Sequence, residues 1–206
     1  VQINKAGIEI DPRLFILLGK LQRVEKKLKA GNYEITSGIT AFDLINKITN
    51  GDVTQTDIVF IEGWTFRQMR ERIDNHPNLR HDTAGLSDAE IMKRLGAEGK
   101  PAEGMFFPDT YLFAKQSSDL DVLARAYRIM QQHLNDEWNN REEGLPYTSP
   151  YEALTMASIV EKETGRDQDR PLVAAVFVNR LRLGMLLQTD PTVIYGLGET
   201  FDGNLR

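Results

Sequence analysis

Two carboxylates, Glu161 and Glu163, stand two residues apart near the end of a segment with plainly marked boundaries. Ser149 is a helix cap, Pro150 suits the first helical position, Glu152 completes a capping box and Gly165 is a C-terminal stop. At about 100° per residue, setting Glu163 at zero puts Met156 at about +20°, Ile159 at about −40° and Val160 at about +60°. Glu163 therefore falls on the apolar stripe, while Glu161 points roughly 160° away. A carboxylate on such a stripe is costly unless it is paired or stays protonated. Burial and the partial negative charge of the helix C-terminus both disfavour its charged form. A carboxyl kept neutral is what general-acid chemistry requires. The bland alternative is a solvated last-turn Glu, or a partner of Lys162, Arg166 or Arg170, and periodicity alone leaves both open.

A second polar group follows, Gln188-Thr189-Asp190 ahead of Pro191. Asp190 before a proline is biased to extended backbone, which can aim its side chain into a cleft; an Asx turn capping the next helix is the equal alternative. Other catalytic chemistries are poorly supplied. There is no Cys and there are three His, His76, His81 and His133, so thiolate metal sites, Cys nucleophiles and His-rich metal sites lack their residues. The net charge of −5, from 25 Lys and Arg against 30 Asp and Glu, offers no phosphate-tracking surface, so the sequence argues against a nucleic-acid partner.

The elements that must hold these groups read as α+β. The 206 residues are 41% hydrophobic, enough for one ordinary domain or two small ones. Asp11 and Pro12 open a helix with Leu14, Phe15, Leu17, Leu18 and Leu21 as its stripe. Lys29 to Ile35 reads as a strand, and a turn at Ser37 and Gly38 follows. Thr40 caps a helix with Phe42, Leu44, Ile45 and Ile48 buried, and residues 57 to 61 form a β-branched strand. Residues 1–60 hold 8 basic against 7 acidic residues, so the acidic surplus lies in the remainder. There, Thr65 with Gln68 and Ser87 with Glu90 are capping boxes. Residues 96 to 116 are loop with an extended piece, Ser118 starts a helix to about Trp138, and Pro171 to Leu183 forms the helix after the carboxylate pair. No run is long and apolar enough to span a membrane.

Three ordered blocks resemble the signature segments of the endolytic murein transglycosylases, the MltG or YceG-like family: Glu103-Gly104 to Thr110, Ala157-Ser158-Ile159-Val160-Glu161-Lys162-Glu163-Thr164, and Gln188 to Gly196. Lys29 to Asp52 resembles the LysM-like module that precedes the catalytic domain in that family. The resemblance implies a LysM-like α+β module over residues 1–60, N-terminally incomplete, and a mostly helical α+β catalytic domain over 61–206, C-terminally incomplete. It implies Glu163 as the catalytic acid, with Glu103, Phe106, Asp109, Gln188, Thr189 and Asp190 in the substrate cleft. Phe106, Phe107 and Tyr111 are candidates for a sugar-stacking wall, against the equal alternative of core packing. It further implies a single-pass bacterial inner-membrane protein whose anchor precedes this region, a periplasmic location, peptidoglycan strands as substrate, peptidoglycan synthases as partners, and no metal or cofactor.

By that resemblance the reaction is a lytic transglycosylation, in which one glutamate serves first as acid and then as base while the 6-hydroxyl of MurNAc attacks its own anomeric carbon. The alternatives are hydrolysis with Asp109 or Asp190 as a second carboxylate, and a non-catalytic peptidoglycan-binding module.

Overall fold

The computed structural model describes residues 12–21, 24, 27, 33, 39–51 and 55–203. The expected helix cap at Asp11, the turn at Ser37 and Gly38 and, apart from Tyr33, the expected strand Lys29–Ile35 lie outside the described residues. In chain order the helices are α1 (Pro12–Leu21), α2 (Ala41–Asn50), α3 (Phe66–Asp74), α4 (Asp88–Arg94), α5 (Asp119–Asn139), α6 (Pro150–Glu163), α7 (Arg170–Arg182) and α8 (Asp190–Leu197). The strands are β1 (Gln55–Val59), β2 (Leu79–Arg80), β3 (Thr110–Ala114) and β4 (Ser117–Ser118). The fold is α+β, as the sequence pattern predicts. Among the described residues no helix is long and apolar enough to cross a membrane.

Local hydrogen bonding starts the helices where the cap residues stand. Thr65 and Gln68 bond reciprocally at α3, and Ser87 and Glu90 do so at α4, each pair satisfying amides that the first turn leaves open. Phe66, Met69 and Ile73 then line the buried face of α3. At α6 the box is only half formed. Ser149 accepts from the Glu152 amide, but the Glu152 carboxylate turns to the amide and hydroxyl of Thr148 at 2.6 and 2.8 Å. The stop of α6 also differs from expectation. Thr164 is already extended (φ −142°, ψ 131°), and Gly165 is not among the left-handed glycines.

Strand β1 pairs antiparallel with β3, from Gln55 opposite Ala114 to Val59 opposite Thr110. The strand read at residues 57 to 61 thus sits two residues earlier, and Ile61 is exposed. Ile58 and Phe60 enter a core with Ile73, Ile91, Met92, Tyr111, Val122 and Leu123. A second, smaller cluster joins Met156 and Val160 of α6 to Phe177 of α7. Cover over α7 is partial. Phe177 is buried, whereas the apolar Leu172, Val176 and Leu181 of the same helix are exposed. Likewise Leu44 and Ile45 of α2 are buried and Phe42 is exposed.

Candidate active site

A cleft of about 460 Å³ opens between the Ile61–Thr65 turn with α3, the Glu103–Pro108 loop, α6 and α8. Tyr151, Leu154, Thr155, Ser158 and Lys162 of α6 reach it because spacings of three and four residues bring them to one helical face. Met69, Phe106, Met130, Leu154 and Ile159 supply its apolar lining, and Trp64, Tyr151 and Tyr195 supply further aromatic side chains. Two tight turns bring backbone against α6. Gly63 has φ +73° and Gly104 has φ +75°; a Cβ there would lie 3.4 Å from Lys162 Nζ and 3.5 Å from Leu154 Cδ2. Left-handed backbone of this kind is what glycine adopts without steric cost.

Glu103 is half-buried on the cleft. Its Oε2 accepts a 3.0 Å hydrogen bond from the Phe66 amide in the first turn of α3, which ties the loop to that helix. Burial raises the Glu103 carboxyl above its ordinary range, and the Phe66 amide offsets part of that rise. Phe106 is 2% exposed and stacks on Phe66 with ring centroids 4.7 Å apart, so it is core that closes the cleft floor. Tyr111 is also core, its hydroxyl donating to the Phe107 carbonyl at 2.6 Å, and Phe107 stacks on His133. Of the aromatic residues expected as a sugar-stacking wall, Phe106 reaches the cleft floor, whereas Phe107 and Tyr111 pack elsewhere and do not line the cleft; Trp64, Tyr151 and Tyr195 are the other aromatic side chains on it. Tyr195 stands in the third sequence block, and Tyr151 precedes Leu154, Thr155 and Ser158 at helical spacing, the signal by which both were findable.

The carboxylate pair of α6 is arranged opposite to the helical-wheel expectation. Glu161 faces the cleft, half-buried, and pairs with Arg170 Nη2 at 2.8 Å, while Arg170 Nη1 pairs with Asp167 at 3.1 Å. Glu163 is exposed, and it stands beside the cleft, next to the lining residue Lys162, and not in the lining itself. The stripe that predicted its burial does pack on α7, through Met156 and Val160, but cover ends at Val160 and Glu163 is the last helical residue. What holds Glu163 is a short contact: the Thr189 hydroxyl donates to its Oε2 at 2.6 Å. Thr189 is 4% exposed and sits at the cap position of α8, yet its side chain makes no capping bond.

The remaining expected residues divide. Gln188 is exposed, with φ +50°, and its Oε1 accepts from Arg180 Nη1 at 3.3 Å. Arg180 also donates to the Leu186 and Leu187 carbonyls, which shapes the run leading to Thr189. Asp190 is exposed as the first residue of α8; it does not line the cleft, although Pro191, Thr192 and Tyr195 do. Asp109 is exposed and likewise off the cleft lining. Its Oδ1 accepts from the adjacent Thr110 amide at 2.7 Å, and its carbonyl accepts from the Phe60 amide at 3.0 Å, which extends the β1–β3 pairing by one bond.

Residues of all three sequence blocks thus meet at one cleft: Glu103 and Phe106 from the first, Ser158, Glu161 and Lys162 from the second, Pro191 and Tyr195 from the third. The Glu163–Thr189 bond joins the second block to the third a second time, across 26 residues.

The chain is 31% identical over 191 residues to an endolytic murein transglycosylase of Bacillus subtilis strain 168, covering 84% of this chain and 53% of that protein. It is 25% identical to an endolytic murein transglycosylase of Streptococcus pneumoniae serotype 2 strain D39, covering 96% of this chain and 40% of that protein. The chain therefore spans about half the length, or less, of these relatives. A 2.6 Å crystal structure of a YceG-like protein from Listeria monocytogenes superposes with a TM-score of 0.54 at 27% identity, over 95% of this chain and 69% of that one. With the model of the YceG-like family matching residues 1–206, the whole of the sequence, the chain belongs to the YceG-like family.

Proposed function

We propose that this region carries out the cleavage step of an endolytic peptidoglycan lytic transglycosylase, breaking the bond between MurNAc and GlcNAc in nascent strands and so ending their elongation. The observation that carries the reading is the meeting of three separated sequence blocks at one cleft, with Glu163 held by Thr189 at the cleft edge where α6 ends. Trp64, Tyr151 and Tyr195 are aromatic side chains of the kind on which sugars stack, and Glu103 and Lys162 present polar groups for hydroxyls and amides.

The roles of the two α6 acids differ. Glu161 is committed to Arg170, and an oxygen bonded to a guanidinium is a poor proton donor to a substrate. Glu163 has no ion pair among the described residues, and its Oε1 is left for a ligand. In the proposed step protonated Glu163 donates to the glycosidic oxygen. The bond from that oxygen to C1 of MurNAc breaks with the electron pair leaving on the oxygen, so GlcNAc departs with a free 4-hydroxyl. The 6-oxygen of MurNAc then bonds to C1 and its proton returns to Glu163. No water is consumed and the acid is regenerated. Attack from within the same sugar gains effective concentration, which replaces a positioned water.

Hydrolysis is the second reading, and one feature favours it: Glu103, whose half-burial holds its carboxyl in the proton-bearing form to higher pH, is a further acid on the same cleft. Asp109 and Asp190, the second carboxylates suggested by sequence, are off the cleft lining. Product mass separates the two reactions, since an anhydro end is one water lighter than a reducing end. Loss of a positioned acid costs on the order of 10² to 10⁴ in rate. Glu163→Gln in the full-length protein, digesting uncrosslinked strands, is expected to fold normally and lose cleavage by that factor; retained turnover refutes the assignment, and glycan binding without cleavage by the wild type marks a binding module instead.

We assign the LysM-like module expected over residues 1–60 to holding the strand and the region expected over 61–206 to the catalytic domain, with the boundary moved ahead of Gln55, because β1 pairs with β3 and Ile58 and Phe60 lie in the core that Tyr111, Val122 and Leu123 share. With that substrate we propose a location on the outer side of a bacterial inner membrane, in the periplasm, with the peptidoglycan synthases that make the strand as partners and a single membrane anchor ahead of this region.

A further inference from the structure

The Thr189 hydroxyl is spent in an unexpected way. A threonine at a helix cap ordinarily accepts from an amide of the first turn. At α8 that bond is absent: Pro191 occupies the first turn, and the side chain turns back to α6, donating to Glu163 Oε2 at 2.6 Å. That length is typical of a hydroxyl on a carboxylate, the stronger class of hydrogen bond. The surroundings hold the residue in place. Thr189 is 4% exposed, its own carbonyl accepts from the Thr192 hydroxyl at 2.8 Å and from the Thr192 amide at 3.3 Å, and Arg180 clamps the carbonyls just before it. Glu163 by contrast is exposed at a helix end, on a side chain with several rotatable bonds and no ion pair among the described residues.

We propose that Thr189 is a positioning residue that fixes which oxygen of Glu163 exchanges the proton: Oε2 is held as an acceptor by the Thr189 hydroxyl, and Oε1 is the reacting oxygen. An oxygen that accepts a short bond from a buried hydroxyl is the poorer place for a proton, so in the neutral acid the proton rides on Oε1. The bond also confines a side chain that would otherwise sample several rotamers, and it does so from a fixed point, the buried Thr189 just ahead of α8. The proton leaves Oε1 for the glycosidic oxygen and returns to Oε1 from the 6-hydroxyl, with Oε2 bonded to Thr189 throughout. Thr189 gives up no proton and touches no substrate atom in this scheme. The proposal rests on the transglycosylase reading above and names the part of the site that makes an exposed glutamate selective.

Charged groups of α7 and α8 do not supply the same constraint. Arg170 is held by Glu161 and Asp167, Arg180 by the Leu186–Gln188 segment, and Asp190 is a second anion that gives no donor.

The experiment compares wild type, Thr189→Val, Thr189→Ser and Glu163→Gln in the full-length protein, digesting uncrosslinked glycan strands, with thermal melts to confirm folding. Valine keeps the shape and removes the donor; serine keeps the donor. The expected result is a kcat about 10- to 100-fold lower for Thr189→Val with KM within about twofold, and recovery by Thr189→Ser to within a few-fold of wild type. A merely structural Thr189 moves the melt and lowers activity alike for valine and serine. The positioning role is overturned if Thr189→Val turns over like wild type, or if serine is as slow as valine, while Glu163→Gln is inactive. If Glu163→Gln itself retains activity, the transglycosylase assignment of Glu163 fails first, and the two failures are told apart.

Discussion

Replacing Asp119 by alanine should unfold the protein at markedly lower denaturant. Asp119 is 0% exposed at the first residue of α5, and its carboxylate is satisfied by Thr83, also 0% exposed. The Thr83 amide reaches both carboxylate oxygens, at 3.2 and 3.1 Å, and the Thr83 hydroxyl donates to Oδ2 at 2.6 Å. The contact ties the turn after β2 to the start of the longest described helix, which carries Val122, Leu123 and Ala126 into the main core and Met130 to the cleft. Truncation leaves two buried donors unpaired, each costing about 1–3 kcal/mol, and removes a negative charge from a helix N-terminus, where the dipole favours it by about 0.3–1 kcal/mol. The expected loss is about 3–5 kcal/mol, a large part of the roughly 5–15 kcal/mol typical of a domain. Urea unfolding followed by far-ultraviolet circular dichroism measures it, with the slope checked against wild type so that a midpoint change reads as stability. A double-mutant cycle isolates the pair. Thr83→Val removes the hydroxyl, so Asp119→Ala combined with Thr83→Val should lose about 1–2 kcal/mol less than the two single losses together. A loss below about 1 kcal/mol for Asp119→Ala, or strict additivity in the cycle, refutes the reasoning.

Two further outcomes follow from the same packing. Burial, reinforced by Asp109 and opposed by Arg125, pushes the Tyr111 phenol up to about 12 from an ordinary 10.0. The folded-state value is raised, so Tyr111's contribution is intact below about pH 10 and is lost as pH rises from there towards 12. Unfolding free energies should fall by on the order of 2 kcal/mol across that window, and Tyr111→Phe should remove that part of the slope; an equal slope in the Phe variant counts against it. Gly63→Ala places a Cβ on a backbone with φ +73°, facing the flexible end of Lys162 at 3.4 Å. The cost is backbone strain of about 1–2 kcal/mol, read as a lower melting midpoint, and an unchanged midpoint argues against a strained turn.

The parts of the fold legible in sequence are those decided within four or five residues. Thr65 with Gln68 and Ser87 with Glu90 mark α3 and α4 because cap and partner are neighbours in the chain, and their bonds form whatever packs outside them. Ser118 and Ser149 mark the starts of α5 and α6 for the same reason. The half-formed box at Glu152 shows the limit: Thr148, one residue further back, offers both an amide and a hydroxyl and takes the carboxylate. The second block was legible as a helix carrying two acids, but its stripe did not say where cover would end.

By itself the sequence determined the helix starts, the α+β class and the set of acids available for chemistry, because caps, periodicity and composition are local properties. Tertiary structure decided which acid meets which surroundings. A period of 3.6 residues says which side chains share a face, not what lies against that face. Glu161 meets the cleft and Arg170 because the Ile61–Thr65 turn and the start of α7 approach α6 on that side. Glu163 meets Thr189 because the chain returns after 26 residues to the end of α6. The pairing of β1 with β3, and the meeting of Trp64, Tyr151 and Tyr195 with Phe106 on one cleft, likewise depend on contacts between residues distant in sequence, and their geometry exists only once the chain has folded.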